Sequence, residues 1–341
     1  MHPKTFFAFV GPSIAMMVIF IAIPLVSVLM QSFYVTQPIY EVLQVETCTP
    51  SFSGQVCVTD IKSVPKIGIN GKVETQTNFV GLLNYQNVIE FPRVVAAFTN
   101  KSWQQFMSID FWKALRFTLS FTLLTLPLVL LFGLVIALTI NNAAKSIRGP
   151  IIFVSLLPMI ITPVIGALAI RWLFIGDGVL TSFLEWYLEQ DIAMFAQAWT
   201  IELMMMFYRV WHVAPFAAIV FYAALQTVNQ DTLESAVIDG ASRWQKLRFV
   251  ILPHLMPLIV FVTMIHLMDS YRVFEEVIGF SSQAHVISLQ WLTYDFLTLD
   301  QMGNRSISRA SASAMLTMIG IVLLLIPVLR GVWMDYKDKK I

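Results

Sequence analysis

The stretch Asn229-Gln-Asp-Thr-Leu-Glu-Ser-Ala-Val-Ile-Asp-Gly-Ala-Ser-Arg-Trp-Gln-Lys-Leu-Arg-Phe-Val-Ile-Leu-Pro-His-Leu255 lies between two long apolar runs. Asp231, followed three residues later by Glu234, has the spacing of a capping box, with Asp in place of Ser or Thr. The helix that starts there is expected to run to Asp239. Gly240 then supplies the backbone freedom of a helix end or sharp turn. A second short helix follows from Ser242, and Pro253 suits the first turn of the next helix. Leu233, Ala236 and Val237 share one face of the first short helix, a spacing that suits a partner groove. The alternative is a polar connector resting on lipid headgroups.

The apolar runs that flank this hairpin are two of six. They extend roughly over Phe6–Phe33, Phe111–Ile140, Pro150–Leu173, Thr200–Leu225, Ile251–Met268 and Ala312–Val332. Each reaches the length that a tilted bilayer-spanning segment needs, about 20 residues. In lipid the backbone satisfies its own hydrogen bonds, so the segments are expected to be helices and the fold all-α. Composition agrees: of 341 residues 57% are hydrophobic and 13% charged, against roughly 25% charged in soluble domains. This excludes disordered, collagen-like and disulfide-scaffold classes and an ordinary soluble enzyme. A net charge of +1 gives no reason to expect nucleic-acid binding. The first run is too long for a signal-peptide core and shows no small-residue cleavage pattern after it, so it reads as a retained anchor.

Lys and Arg orient the segments. Lys4, Lys145, Arg148, Arg243, Lys246, Arg248, Arg330, Lys337, Lys339 and Lys340 fall on one side. The loop from Phe174 to Trp199 has no Lys or Arg and carries Asp177, Glu185, Glu189 and Asp191. Both termini are therefore expected to be cytoplasmic. Lys113 and Arg116 run against the pattern, and Arg116 is expected to snorkel outward. The organisation is then an N-terminal helix over 1–33, an outer loop over 34–110, a membrane core over 111–334 and a cytoplasmic tail over 335–341. The outer loop is mixed and polar, with turns at Pro65, Gly68 and Gly71. It holds both cysteines, Cys48 and Cys57, with eight residues between them that include Pro50 and Gly54. An oxidising outer compartment favours a disulfide between them.

Glu234-Ser-Ala, Asp239-Gly240-Ala241 and Ile251-Leu252-Pro253, at these spacings, resemble the EAA loop of ABC importer permeases, here taken as 229–253. Ser235 stands where Ala is common. Phe79-Val-Gly-Leu-Leu-Asn-Tyr85 followed by Phe111-Trp-Lys-Ala-Leu resembles the approach to the second helix in the carbohydrate permeases of that group. The resemblance implies the type I permease fold and a non-catalytic subunit in the inner membrane. It implies a heterodimer with a second permease subunit, two copies of a cytoplasmic ATPase subunit and a periplasmic substrate-binding protein. The loop would be the coupling helix, with Glu234, Ala236, Asp239 and Gly240 carrying docking and shape. No Walker A pattern occurs, so ATP and Mg belong to the partner ATPase, and no cofactor is expected in this chain.

Ionisable groups inside spans default to functional hypotheses. In the fourth run Arg209, His212, Val213 and Phe216 stand at i, i+3, i+4 and i+7, and Pro215 lies among them. In the fifth, His266, Asp269, Ser270 and Val273 repeat the spacing. Aligned from Glu234, both sets fall on sugar-binding positions of the maltose-type members. Their identities differ: those members are rich in Asn and aromatic groups, whereas this chain places Arg209, His212, His266 and Asp269. One reading has Arg209 and Asp269 hydrogen-bond a carbohydrate-type ligand, with Trp211 or Phe216 stacking on it; an unpaired Arg209 would also suit a carboxylate or sulfonate. The other has Arg209 and Asp269 pair and pin two helices. Phe274-Glu-Glu276 is expected to face outward as a solvated loop. Met204–Met206 reads as core packing, and the five histidines show no metal-ligand spacing. An ion-coupled secondary transporter is the alternative class; it would be expected to show internal repeats with paired broken helices, which the sequence lacks.

Overall fold

The structure, a computed structural model, describes the backbone of residues 3–51, 54–68, 73–176, 178–299 and 305–338. Side chains are described over the same residues except 3–8, 43–51, 54–63, 65 and 335–338. Among the described residues six helical segments are long and apolar enough to cross a membrane: Phe9–Ser32, Asp110–Asn142, Pro163–Leu188, Ala198–Leu225, Arg243–Tyr271 and Ile307–Met334. They are termed the first to sixth spans. Five of them match the expected runs. The third differs. The run from Pro150 to Leu173 is divided between one helix over Lys145–Ile160 and another that starts at Pro163. Ile161 and Thr162 between them are extended, with ψ of 133° and 138°. Pro163 drives this break, because it excludes the α conformation from the residue before it and donates no N–H to a preceding turn.

The chain divides into two compact units. The first contains residues 1–91 and 295–315. In it the first span leads into two antiparallel pairs: Tyr34–Pro38 with Thr75–Phe79, and the hairpin of Tyr40–Ser51 with Gly54–Pro65. The outer loop is thus partly β. Its Val- and Thr-rich alternation, from Val42 to Thr49 and from Val56 to Ile61, suits a pleated ribbon. Asn84 fastens the ribbon to the first span, donating from Nδ2 to the Ser32 carbonyl at 2.8 Å and the Tyr34 carbonyl at 3.1 Å. Lys66 pairs with Glu74 at 2.7 Å, and that hydrogen bond and charge hold the ammonium above the usual lysine range. The register sets the backbones of Cys48 and Cys57 opposite each other. The disulfide expected between them falls on side chains outside the described residues.

The second unit contains residues 92–294 and 316–341. Its axis is the second span packed along the fourth. Gly133 lets them approach: a Cβ there meets the Ala217 Cβ at 2.5 Å. One apolar cluster joins Phe117, Phe121, Met204, Met205 and Tyr208 to Val273, Val277 and Phe280. The expected core role of Met204 and Met205 is therefore observed. A second cluster joins Val129, Ala137, Ala217 and Phe221 to Leu255 and Val262 of the fifth span. Thr122 and Thr125, buried in the second span, return their hydroxyls to the carbonyls of Thr118 and Phe121, each at 2.7 Å. The protons of these two hydroxyls are thereby paired in an apolar setting.

Candidate functional site

Two places concentrate chemistry. The first is the hairpin after the fourth span. Its leading helix covers Gln230–Ile238, capped by Asn229, whose Oδ1 accepts from the Asp231 N–H at 2.9 Å. The cap is therefore Asn229, not the expected Asp231. Asn229 has the extended backbone a cap requires, whereas Asp231 is already helical. The helix ends in a Schellman motif: Ala241 N–H reaches the Ala236 carbonyl at 2.9 Å and Gly240 N–H the Val237 carbonyl at 3.0 Å. Gly240 has φ of +78°, a conformation that a side chain opposes. Ser242 and Gln245 form a reciprocal capping box at 2.7 and 3.3 Å, which opens the helix Arg243–Lys246. A π segment, Leu247–Ile251, then continues the fifth span into its long α-helix, Leu252–Tyr271.

This design turns apolar side chains into the open. Ile238 is 85% exposed, and Val237, Trp244 and Phe249 are exposed as well. Leu233 and Ala236 are half-covered, and Glu234 and Asp239 are exposed. Ile238 was not singled out in the sequence, although a β-branched residue just before the helix-ending Asp-Gly is the local signal for it.

The second place lies between the fourth and fifth spans. Arg209 is buried and donates from Nη1 to Asp269 Oδ2 at 2.9 Å. Its Nε lies 3.0 Å from Oε1 of Glu276, although the N–H does not point along that line. The second contact is thus an ion pair rather than a hydrogen bond. The guanidinium also lies over the Phe121 ring, 5.7 Å from its centroid. Glu276 corrects the expectation of a solvated outward loop: its side chain is 1% exposed. The fifth span ends at Tyr271, and the helix Glu275–Gly279 packs back onto the helix Pro163–Phe174. Gly279 permits this, because a Cβ there would meet Ala167 and the Val164 carbonyl. Burial pushes the Glu276 carboxyl above the usual carboxylate range, against the pull of Arg209. The acidic residue set in Val273-Phe-Glu-Glu-Val-Ile was the available signal.

The structure brings some predicted residues together and separates others. His266 Nε2 lies 3.0 Å from both Thr125 Oγ1 and Ser270 Oγ, forming a small buried network. His212 turns elsewhere and donates from Nε2 to the Ile161 carbonyl at 2.9 Å, at the break before the third span. Tyr208, one turn earlier, donates to the Pro163 carbonyl at 2.9 Å. Carbonyls exposed by the break are thus satisfied from the fourth span. Val213 and Phe216 pack against the apolar cluster shared with the fifth span, and Val273 is fully buried. Asp269 is the open member, with its side chain 54% exposed beside Ile265, Met268, Arg272 and Ile321. Arg116 also departs from expectation. It forms a two-pronged pair with the largely buried Glu202 of the fourth span instead of snorkelling.

Residues 106–341, more than half of the chain, match the family described as binding-protein-dependent transport system inner membrane component. The chain belongs to that family. Its relatives include a probable ABC transporter permease protein of Pyrococcus horikoshii, 31% identical over 228 residues, covering 63% of this chain and 75% of the relative. A trehalose transport system permease protein of Mycobacterium tuberculosis is 28% identical over 204 residues, 59% of each chain. The fold is shared with a chain in the crystal structure of a bacterial ABC transporter involved in import of the acidic polysaccharide alginate. The TM-score is 0.64 at 22% identity, over 98% of this chain and 96% of that one. The protein is thus a multi-pass inner membrane permease with the ABC importer fold, as its EAA-like loop implied.

Proposed function

We propose that this permease carries a sugar, polyol or sugar derivative, with the energy supplied by ATP hydrolysed on separate subunits. Names among the relatives support the carbohydrate class: trehalose, trehalose/maltose, arabinooligosaccharide and lactose transport system permeases. The observation that carries the mechanism is the double-capped hairpin, whose Gly240 turn holds Ile238 and Val237 uncovered. A rigid, capped helix with an apolar tip is suited to a groove on another protein. In this reading Glu234, Ala236, Asp239 and Gly240 shape the docking element. Closure of an ATPase dimer pulls it, and the spans above rock between inward- and outward-open states. The partners are a second permease subunit, two ATPase subunits and a periplasmic binding protein. Both termini then lie in the cytoplasm, and the Cys48–Cys57 pair is a disulfide in the oxidising compartment.

For the ligand we assign Asp269 the direct polar contact, because it is open whereas Arg209, His212 and His266, the other ionisable residues predicted for the ligand site, are buried. Arg209 is committed to Asp269 and Glu276, so it presents no free cation to an anionic group. His266 and Ser270 support the fifth span, and His212 supports the fourth. The test is two-part. Affinity purification of the full-length chain from its native membrane is expected to bring a nucleotide-binding subunit and a second permease. Asp269→Asn, with assembly unchanged, is expected to raise the KM for sugar uptake at least tenfold. Purification without an ATPase subunit rejects the importer mechanism, and unchanged uptake removes Asp269 from the path.

A further inference from the structure

Between the β ribbon and the second span the chain forms two short helices, Phe91–Thr99 and Trp103–Met107. In the first, Val94 and Ala97 are buried. Val95 and Phe98 are 48% and 68% exposed, and Trp103 in the second is 70% exposed. At about 100° per residue Val95 and Phe98 project within roughly 60° of each other, whereas Ala96 and Asn100 point elsewhere. The arm therefore has a buried edge, a bare apolar edge and a polar edge, the arrangement of a helix lying in a membrane interface.

Its depth follows from what it is fastened to. The Phe106 ring lies 5.4 Å from Phe98, 5.5 Å from Trp103 and 4.8 Å from Trp112, which is in the first turn of the second span. That span has 33 residues, or about 50 Å, whereas the hydrocarbon core takes about 30 Å and the headgroups bring the bilayer to about 40–45 Å. With a tilt of about 20–30° its ends reach the headgroup layers, so Trp112 and the arm sit at that level. Other large aromatics at this end of the spans are equally bare: Trp186, Tyr187 and Trp199 are 76%, 71% and 63% exposed. Exposed Trp and Tyr at the ends of several spans form the aromatic belt that membranes favour.

We propose that residues 92–107 lie in the headgroup layer on the bilayer face opposite Gly240, with Val95, Phe98 and Trp103 reaching the acyl boundary. The last part of the outer loop is then a lipid anchor that sets the depth of the second span. It is not a free aqueous segment or a docking face for another protein. The test uses nitroxide labels at Val95→Cys, Phe98→Cys, Trp103→Cys, Ala96→Cys and Asn100→Cys, with Cys48 and Cys57 replaced by Ser. The assembled transporter and the chain alone are placed in phosphatidylcholine nanodiscs, and collision with oxygen is compared with collision with a water-soluble nickel chelate. Labels at 95, 98 and 103 are expected to show an oxygen-to-nickel ratio several-fold above those at 96 and 100. Equal ratios at all five positions overturn the proposal in favour of an aqueous arm. Low accessibility to both reagents at 95, 98 and 103 in the assembled transporter overturns it in favour of a protein partner. Val95→Cys is a small change, so the comparison stands if the Trp103 variant fails to fold.

Discussion

Replacing Glu276 with Leu isolates the ion pair that joins the end of the fifth span to the fourth. The side chains are similar in volume, so the change is chiefly electrostatic. Arg209, 6% exposed, keeps Asp269, but that partner is half in the open. Removing one member of a buried pair costs about 3–5 kcal/mol, and the remaining carboxylate places this case near 3 kcal/mol. For a chain with a cooperative unit of about 150–250 residues, this corresponds to roughly 6–12 °C in the unfolding midpoint. Asp269→Asn, at the exposed end, is expected to cost about 1 kcal/mol or less. The double variant Arg209→Met/Glu276→Leu is expected to recover at least half of the single-variant loss, because no buried charge is left without its partner. The assay is thermal unfolding of the purified chain in one detergent, run on the three variants and the unaltered chain in parallel. A Glu276→Leu loss no larger than that of Asp269→Asn refutes the reasoning, as does a double variant no more stable than the single.

Two further outcomes follow from packing. Gly133→Val places a branched side chain where even a Cβ meets Ala217 at 2.5 Å; a loss of about 1–3 kcal/mol is expected from overpacking, read as a fall in unfolding temperature, whereas Gly149→Val, in open space, is expected to leave it unchanged. His212→Ala leaves the Ile161 carbonyl at the helix break without its donor, at a cost of about 1–3 kcal/mol; His212→Gln, which can donate an amide proton, is expected to restore most of the stability, and failure to do so in the same unfolding assay contradicts the capping role.

What was legible in the sequence followed from local chemistry. Spans are readable because hydrocarbon forces the backbone to close its own hydrogen bonds within each segment. Gly240 and Ser242 are readable because a left-handed turn and a capping box each need particular residues at fixed offsets. Glu276 was not readable, because its burial depends on a fold-back of Glu275–Gly279 onto a helix more than 100 residues earlier in the chain. His212 shows the same limit. Its spacing with Arg209 placed both on one helical face, but the Thr162-Pro163 break that captures it belongs to a different segment. The β ribbon was hidden for a milder reason: short Val- and Thr-rich stretches interrupted by Glu, Gln and Lys carry a weaker signal than a 20-residue apolar run.

The central claim is that the hairpin around Gly240 grips another polypeptide beneath the bilayer. The most direct measurement is photo-crosslinking from a benzophenone amino acid at position 238, in membrane vesicles that hold the assembled transporter. The account predicts one dominant adduct with a nucleotide-binding subunit, lost in Gly240→Val because the turn that presents position 238 is distorted. An adduct with lipid alone, or with a protein of the outer compartment, contradicts it.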